Sequence, residues 1–332
     1  MYNFLILSLF SGMIELGTVF LGIHLNAPIP VIISLPLYYQ LGNLMMNYIP
    51  KKKQICIVMS ITVLILSIFS RTNYYYLSLT VQLIFSSFCI QITRDKHKKN
   101  CPTWLKRSFR ITGFALSPLM LFEKGQLILI TSITFCLFLL FHSSDVLSHQ
   151  KPKNNEISFV MIFHQVHYFA YTYIMPIYLF QITQNYMISA SIFAITWIIY
   201  LLPQTIAEKY NMRNYKKIFL GCHTLLALCM GSMTLSFYKE KQLLLLLFWL
   251  LTGLGGGSVF CIKHLTQKYK SIDMDLSENI GHVLGPLIAI IICAIFPNKE
   301  ATLLTAFSCV SVIITLILAT FNIQKENINH YE

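Results

Sequence analysis

The sequence predicts an all-α membrane protein in which twelve transmembrane helices form two pseudo-symmetric six-helix bundles. Three observations predict this fold class. First, 55% of the residues are hydrophobic and only 11% are charged, a balance that excludes a water-soluble globule. Second, the apolar residues gather in twelve runs separated by short polar connections. Third, the segments RITGFALSPL, from Arg110, and ENIGHVLGPL, from Glu278, share a skeleton of small residues followed by proline.

Each apolar run is long enough, or nearly so, to cross the hydrocarbon core as a helix, a form that satisfies its own backbone hydrogen bonds. The first six runs lie at 3–22, 29–49, 55–71, 74–92, 107–122 and 126–142. The second six lie at 157–181, 187–206, 217–237, 242–262, 279–296 and 301–321. The polar stretch between the two sets predicts a cytoplasmic linker at 143–156, which joins an N-terminal bundle at 1–142 to a C-terminal bundle at 157–332.

The net charge is +12, and the distribution of the basic residues is that of a membrane protein rather than of a nucleic-acid-binding surface. Cytoplasmic loops collect Lys and Arg, and alternate loops of this chain, including the one that ends at Arg110, carry most of its 25 such residues. The opposite side carries only Arg71, Lys124, Lys239, Lys241 and Lys299. We therefore expect both termini in the cytoplasm, a multi-pass protein of the cytoplasmic (inner) membrane, the lipid bilayer as its surroundings, and no nucleic-acid partner.

The repeated skeleton predicts helices that pack closely and bend. Small residues four apart let a neighbouring backbone approach, and the proline that follows removes a backbone donor. These positions are Gly113, Ser117 and Pro118 in the first copy and Gly281, Gly285 and Pro286 in the second. Chance recurrence of this spacing in apolar helices is the alternative.

Six plus six helices, both ends inside, a mid-chain linker and the repeated motifs together resemble the major facilitator superfamily of secondary transporters. The resemblance covers essentially the whole chain. The two glycine–proline segments look like the family's fifth-span motif, which is associated mainly with exporters. The resemblance therefore implies alternating access between two bundles, with export preferred over import.

Other motifs of that family match in part. Gly42 matches the first position of a loop motif after the second span, but Met46 and Asn47 replace the acid and the arginine of that motif. The second copy is better matched and implies a gate at cytoplasmic helix ends, with ordinary topological charge as the alternative; its residues are Glu208, Lys209 and Arg213. The family's fourth-span arginine is absent, and Gln82, followed by Ser86, occupies about that place. This departure counts against proton antiport of the usual kind.

The resemblance also implies that the first, fourth, seventh and tenth spans line a central cavity. Glu15 lies about midway along the first run, and an ionisable group at that depth normally faces protein or water rather than lipid. We expect Glu15 to carry a proton or to pair with a cationic group. A buried neutral acid that tightens packing is the alternative.

The seventh run carries a polar stripe that contains His164, His167 and Tyr171 at helical spacing. We interpret the stripe, with Trp249 of the tenth run, as a cavity wall that contacts an organic substrate, or as a structural polar face. Two histidines on one helix are too few ligands for a metal, so neither a metal nor another cofactor is predicted. Either histidine could share proton handling with Glu15. Pro176 predicts a kink in the outer part of this helix.

These features predict a monomeric secondary active transporter that moves a small organic molecule by alternating access, with proton coupling as a hypothesis. No strongly cationic residue is expected deep in any span, which disfavours a multiply anionic substrate. The candidate substrates are drug-like molecules, peptide-like metabolites and siderophores. No compact catalytic cluster such as HExxH is present in the sequence, so an enzyme is not predicted. An importer, or a scaffold or sensor that kept the fold without transporting, is the alternative.

Overall fold

A computed structural model describes residues 2–49, 53–68, 74–96, 103–142, 156–210, 214–238, 242–266 and 273–328, and the regular structure within these ranges is helical. The first six α-helices are α1 (Tyr2–His24), α2 (Ile29–Met45), α3 (Lys53–Ser67), α4 (Tyr75–Lys96), α5 (Thr103–Ala115) and α6 (Gln126–Phe141). A 3-10 segment, Ser117–Gly125, joins α5 to α6. The later helices are α7 (Phe159–Thr172), α8 (Met175–Thr183), α9 (Tyr186–Lys209), α10 (Tyr215–Tyr238), α11 (Gln242–Gly256), α12 (Val259–Thr266), α13 (Met274–Ile295) and α14 (Glu300–Ile328).

The length and apolar character of these segments make the chain a multi-pass membrane protein. Among the described residues, eight helical segments are long and apolar enough to cross a membrane. They are Tyr2–His24, Tyr75–Arg94, Ser117–Phe141, Tyr186–Lys209, Tyr215–Phe237, Gln242–His264, Met274–Ile295 and Glu300–Thr320. Two shorter apolar helices are Ile29–Met45 and Lys53–Ser67. The predicted count of twelve spans is met only in part: the second and third runs form the two shorter helices, and the fifth and seventh runs are divided.

The predicted fifth run is not one α-helix. Pro118 follows the end of α5, and the chain continues as the 3-10 segment because proline has no amide hydrogen to donate to the preceding turn. Glu123 and Lys124 then take positive φ angles of 47° and 51°, and Gly125 takes a φ of 83°. These left-handed positions turn the chain into α6, and glycine accepts such a φ without steric cost.

The predicted seventh and tenth runs are also divided. The kink predicted at Pro176 is confirmed as a full break, since α7 ends at Thr172 and α8 begins at Met175. Proline at the second position of α8 cannot donate to the carbonyl of Thr172, four residues before it. The tenth run breaks between α11 and α12, where Ser258 donates its backbone N–H to Gly255 over 3.1 Å rather than continuing the α-helical pattern.

By the contacts between its residues, the chain divides into two compact units. The first unit contains the described residues before 143 together with Tyr173–Ala194. Its central element is α1, which packs against α2, α5, α6 and the 3-10 segment. Gly12 of α1 and Gly113 of α5 face each other, and a Cβ on either would meet backbone atoms of the other helix. Gly42 of α2 approaches the backbone of α4 at Ile84 in the same way.

The second unit contains residues 156–172 and the described residues from Ile195 onwards. Its α7 packs against α13 and α14. A Cβ on Gly281 would meet the carbonyl of Ile162, and a Cβ on Gly285 would meet the backbone of Ala170. Pro286 follows inside α13. The close packing predicted for both copies of the repeated skeleton is therefore present, with α5 against α1 and α13 against α7.

By these contacts, residues 173–194, which the sequence assigns to 157–332, group with the first unit. The break before Pro176 is where the chain passes from one unit to the other. The predicted linker at 143–156 lies outside the described residues except for Glu156.

Candidate functional site

Glu15 lies on the most enclosed part of α1. Its side chain is 2% exposed, and the polar residues on the same helix face, Ser8, Ser11 and Thr18, are also buried. Ser8 donates to the carbonyl of Phe4 over 2.8 Å, and Thr18 donates to the carbonyl of Glu15 over 2.9 Å. Ser11 accepts a hydrogen bond from the hydroxyl of Tyr39 on α2 over 3.1 Å. The carboxylate of Glu15 is the charged group on this face, and it too must find its partners on other segments.

The first partner of Glu15 is Arg110 on α5. Nη2 of Arg110 lies 2.5 Å from Oε2 of Glu15, and the Arg110 side chain is 29% exposed. The contact between Gly12 and Gly113 brings the two backbones close enough for the guanidinium to reach the carboxylate. Such a charge-assisted pair is stronger than a neutral hydrogen bond, and removing one partner leaves an uncompensated buried charge.

The second carboxylate oxygen is held by two neutral donors. The hydroxyl of Tyr173 donates to Oε1 of Glu15 over 3.0 Å, and Nε2 of Gln40 lies 3.2 Å from the same oxygen. Nε2 of Gln40 also donates to the Tyr173 hydroxyl over 2.9 Å. Tyr173 occupies the break between α7 and α8, and Gln40 lies on α2. We call Glu15, Gln40, Arg110 and Tyr173 the Glu15 cluster.

Further hydrogen bonds fix the amide of Gln40. Asn43 donates from Nδ2 to Oε1 of Gln40 over 2.9 Å, and Ser87 donates to Oδ1 of Asn43 over 2.7 Å. The amide of Gln40 therefore keeps its NH2 group towards Glu15. A buried network in which each member has a partner holds a defined geometry, so the Glu15 cluster is preorganised.

The Glu15 cluster corrects one expectation from the sequence. The charge pattern assigns Arg110 to the cytoplasmic loop cations and places no cation deep in any span. The structure instead places the guanidinium on the carboxylate of Glu15. Sequence reasoning also misses Gln40, Asn43, Ser87 and Tyr173. The available signal is Glu15, a lone carboxylate in an apolar helix that needs a cationic partner; nothing local marks Arg110 as that partner, because α5 also carries Lys106 and Arg107.

Gln82 and Ser86 do not join the cluster. Both side chains are buried in the first unit, and Nε2 of Gln82 donates to Ser78 over 2.8 Å. Ser78 in turn donates to the carbonyl of Leu66 on α3. It is the adjacent Ser87 that reaches the Glu15 cluster, through Asn43. A substrate role for Gln82 remains a prediction.

The predicted stripe on α7 faces the interior of the second unit. His164, His167 and Tyr171 are buried, and the Tyr171 ring meets the Trp249 ring edge-to-face with 5.4 Å between centroids. His223 of α10, which the sequence does not single out, lies against the two histidines. One ligand atom from each of the three lies within 4.8 Å of the others. We call His164, His167 and His223 the histidine cluster.

The predicted gate residues lie at the end of α9. Glu208 and Lys209 are exposed, and Nε2 of Gln204 donates to Glu208 over 2.7 Å. Arg213 lies outside the described residues. In the same unit Lys263 of α12 pairs with Glu278 of α13 over 2.6 Å, and His282 lies 3.1 Å from Oε1 of Gln165.

Comparison with known proteins supports the fold. No protein-family model and no curated protein matches the chain. Among solved structures, a bacterial metal transporter is similar with a TM-score of 0.64 and 12% identity, covering 96% of both chains. A mutant form of the nucleoside transporter NupG is similar with a TM-score of 0.61 and 12% identity, covering 95% of this chain and 96% of that one. The chain has the major facilitator fold.

A further structure with the major facilitator fold extends the comparison. The xylose transporter XylE from E. coli, in a partially occluded inward-open conformation, is similar with a TM-score of 0.62 and 9% identity, covering 95% of this chain and 96% of that one. Identities this low establish the fold and not the cargo. The guanidinium that contacts Glu15 comes from α5, and Gln82 of α4 does not contact the carboxylate.

Proposed function

We propose that this chain is a secondary transporter that moves a small organic molecule across a membrane by alternating access, with the Glu15 cluster as its coupling site. The observation that carries this proposal is the ion pair between the buried carboxylate of Glu15, midway along α1, and the guanidinium of Arg110 on α5. Charged groups at such depth are costly, and in membrane proteins they mark ion and substrate pathways. In secondary transporters of this kind, alternating access is largely a rigid-body movement of one helical repeat against the other.

Proton binding at Glu15 is the proposed switch. A proton on the carboxylate removes the negative charge that holds Arg110, while the guanidinium stays charged at all working pH values. The pair can then be closed in one transport state and open in the other. Because Tyr173 lies at the break between α7 and α8, its hydrogen bond to Glu15 links the state of the carboxylate to the position of that break.

The cluster narrows the class of cargo. Arg110 is already balanced by Glu15, so a multiply anionic molecule finds no surplus of positive charge there. The partly exposed guanidinium suits a molecule with a single carboxylate, which competes with Glu15 for it. Peptide-like metabolites and siderophores fit this description, and drug-like molecules fit if they carry a weak acid.

Export from the cytoplasm, in exchange for protons, is the proposed direction. It rests on the resemblance of the glycine–proline segments to those of exporters and not on the geometry of the cluster. An inner-membrane location with cytoplasmic termini, a monomeric state and the absence of enzymatic activity belong to the same proposal. The cargoes named for the similar structures, a nucleoside, a metal, iron and xylose, span several classes and do not select one.

The test begins with metabolite profiling of a deletion strain. We expect one class of small organic molecules to rise inside the cells and fall in the medium. The same compounds should raise the thermal stability of the purified protein. In vesicles with an acidified lumen the wild-type protein should accumulate the compound, because antiport moves the cargo inwards as protons leave. Vesicles with an acidic exterior should not accumulate it.

Three results would contradict the proposal in different ways. Accumulation only in vesicles with an acidic exterior would establish proton symport, and therefore an importer. No transport and no stabilisation by any profiled compound would favour the non-transporting scaffold, an alternative that Met46 and Asn47 already suggest because they replace charged motif residues. Transport that ignores the pH gradient would remove the coupling role of Glu15.

A further inference from the structure

The histidine cluster has the dimensions of a metal site. A ring nitrogen of each histidine lies within 4.8 Å of the others, and Nδ1 of His164 lies 2.9 Å from Nε2 of His223. Zinc–nitrogen bonds are about 2.0–2.1 Å, so two nitrogens on one tetrahedral ion are about 3.3–3.4 Å apart. A separation of 4.8 Å must therefore shorten by about 1.4 Å, shared between two side chains, and the 2.9 Å pair must lengthen by about 0.5 Å.

His223 is oriented by the partners that ligand histidines usually have. Its Nδ1 lies 2.9 Å from Oγ of Ser258 and 3.2 Å from the carbonyl of Phe219. The carbonyl can only accept, and Ser258 gives its own proton to the carbonyl of Gly255 over 2.7 Å. Nδ1 of His223 must therefore carry the hydrogen, and its Nε2 lone pair accepts a hydrogen bond from Nδ1 of His164 over 2.9 Å. A metal ion takes this lone pair when the hydrogen of His164 moves from Nδ1 to its Nε2. A second contact that fixes the tautomer in this way is a regular feature of metal sites.

Three ring nitrogens of the cluster are not satisfied by the protein. Among the described residues, Nε2 of His164 and both nitrogens of His167 have no hydrogen-bond partner. The carbonyl of Phe163 lies near the His167 ring and can pair only with its N–H, because a carbonyl oxygen has no hydrogen to give to the lone pair. All three side chains are at most 1% exposed. Buried polar atoms normally have partners. Each neutral imidazole has one N–H and one lone pair, so an ion that accepts one lone pair from each ring supplies a partner that the protein does not.

The donor set selects the class of ion. Three neutral imidazoles without a carboxylate suit zinc and the neighbouring late transition metals, whereas magnesium and calcium require oxygen ligands. A water molecule, hydroxide or chloride would be the fourth ligand of a tetrahedral site. Hydroxide or chloride would also reduce the net charge of the buried site from +2 to +1.

We propose that His164, His167 and His223 bind one divalent transition-metal ion of the zinc class, which ties α7 to α10 inside the second unit. The ion is a resident structural ion and not the cargo, because its three ligands lie within a single unit and are each at most 1% exposed. The proposal goes beyond the transport function and does not depend on it.

The test uses the purified full-length protein in detergent, stripped with a chelator and then titrated with Zn²⁺. We expect one Zn²⁺ per chain by calorimetry and metal analysis, with a dissociation constant in the micromolar range or below, and a higher thermal unfolding temperature. Co²⁺ in place of Zn²⁺ should give the intense visible absorption of a tetrahedral site. His167→Asn and His223→Asn should each weaken binding by about 100-fold or more, and Ser258→Ala by about 10-fold.

Two matched controls separate this site from other histidines and from transport. His264→Asn, which alters a histidine of α12 that stacks on Tyr215, should leave Zn²⁺ binding unchanged. Glu15→Gln should also leave it unchanged, so that failure of the coupling proposal and failure of the metal proposal are distinguishable. The proposal is overturned if the folded wild-type protein binds no Zn²⁺, if binding survives both cluster variants, or if vesicles accumulate Zn²⁺ in a way that the variants abolish.

Discussion

Replacing Arg110 with methionine tests the Glu15 cluster through stability. Methionine keeps most of the side-chain length but removes the guanidinium, so the carboxylate of Glu15, which is 2% exposed, loses its counter-charge. Breaking a buried pair in this way costs about 3–5 kcal/mol. The hydrogen bonds from Tyr173 and Gln40 to the other carboxylate oxygen remain, so we expect the lower end, about 3 kcal/mol.

A double-mutant cycle separates the pair from its surroundings. Glu15→Gln alone should cost less, about 1–2 kcal/mol, because Arg110 is 29% exposed and can turn towards water. The double variant Glu15→Gln with Arg110→Met should be more stable than Arg110→Met alone, since no buried charge is then left unpaired. Reversible unfolding in mixed micelles, followed by circular dichroism, measures all four free energies. Additive effects of the two substitutions would show that the two side chains are not energetically coupled.

Three further predictions concern neighbouring features. Tyr173→Phe should lower the free energy of unfolding by about 1 kcal/mol, as one hydrogen bond to a carboxylate is lost, and should slow transport measured in vesicles. Gly113→Ala should destabilise the protein by about 2 kcal/mol or more, because the added Cβ would press on the backbone of α1. Its control is Gly221→Ala, where a Cβ meets nothing within 4 Å, and this change should stabilise the protein by up to about 1 kcal/mol. Equal effects of the two substitutions in thermal unfolding would contradict the packing argument. Lys263→Met breaks the ion pair with Glu278, whose partners are 42% and 26% exposed, so the free energy of unfolding should fall by no more than about 1 kcal/mol. A fall as large as that of Arg110→Met would show that burial does not determine how much an ion pair contributes to stability.

The sequence predicts what depends on local pattern. The apolar runs locate the helices, Pro176 marks the break between α7 and α8, and the small residues at Gly113 and Gly281 predict close helix contacts. The depth of Glu15 follows from its place in the first run. Each of these features is determined within one segment of chain, where periodicity and residue type carry the information.

What the sequence does not predict depends on which helices touch. Arg110 stands near many loop cations, and nothing local separates it from them until α5 is packed on α1. Tyr173 and Gln40 come from distant segments and meet only at the carboxylate of Glu15. His223 is a single histidine in an apolar run, which usually indicates a structural residue. Its partnership with α7 is a property of the folded unit alone.

If proton binding at Glu15 drives transport, accumulation of the cargo against its gradient requires the carboxylate. One-for-one exchange of cargo across the membrane does not require it. Proteoliposomes containing the wild-type protein should concentrate the identified cargo when a pH gradient is imposed and should exchange labelled for unlabelled cargo without one. Glu15→Gln, checked for intact folding and insertion, is predicted to keep exchange and to lose accumulation. Accumulation by Glu15→Gln equal to that of the wild type would show that this carboxylate does not couple protons to transport.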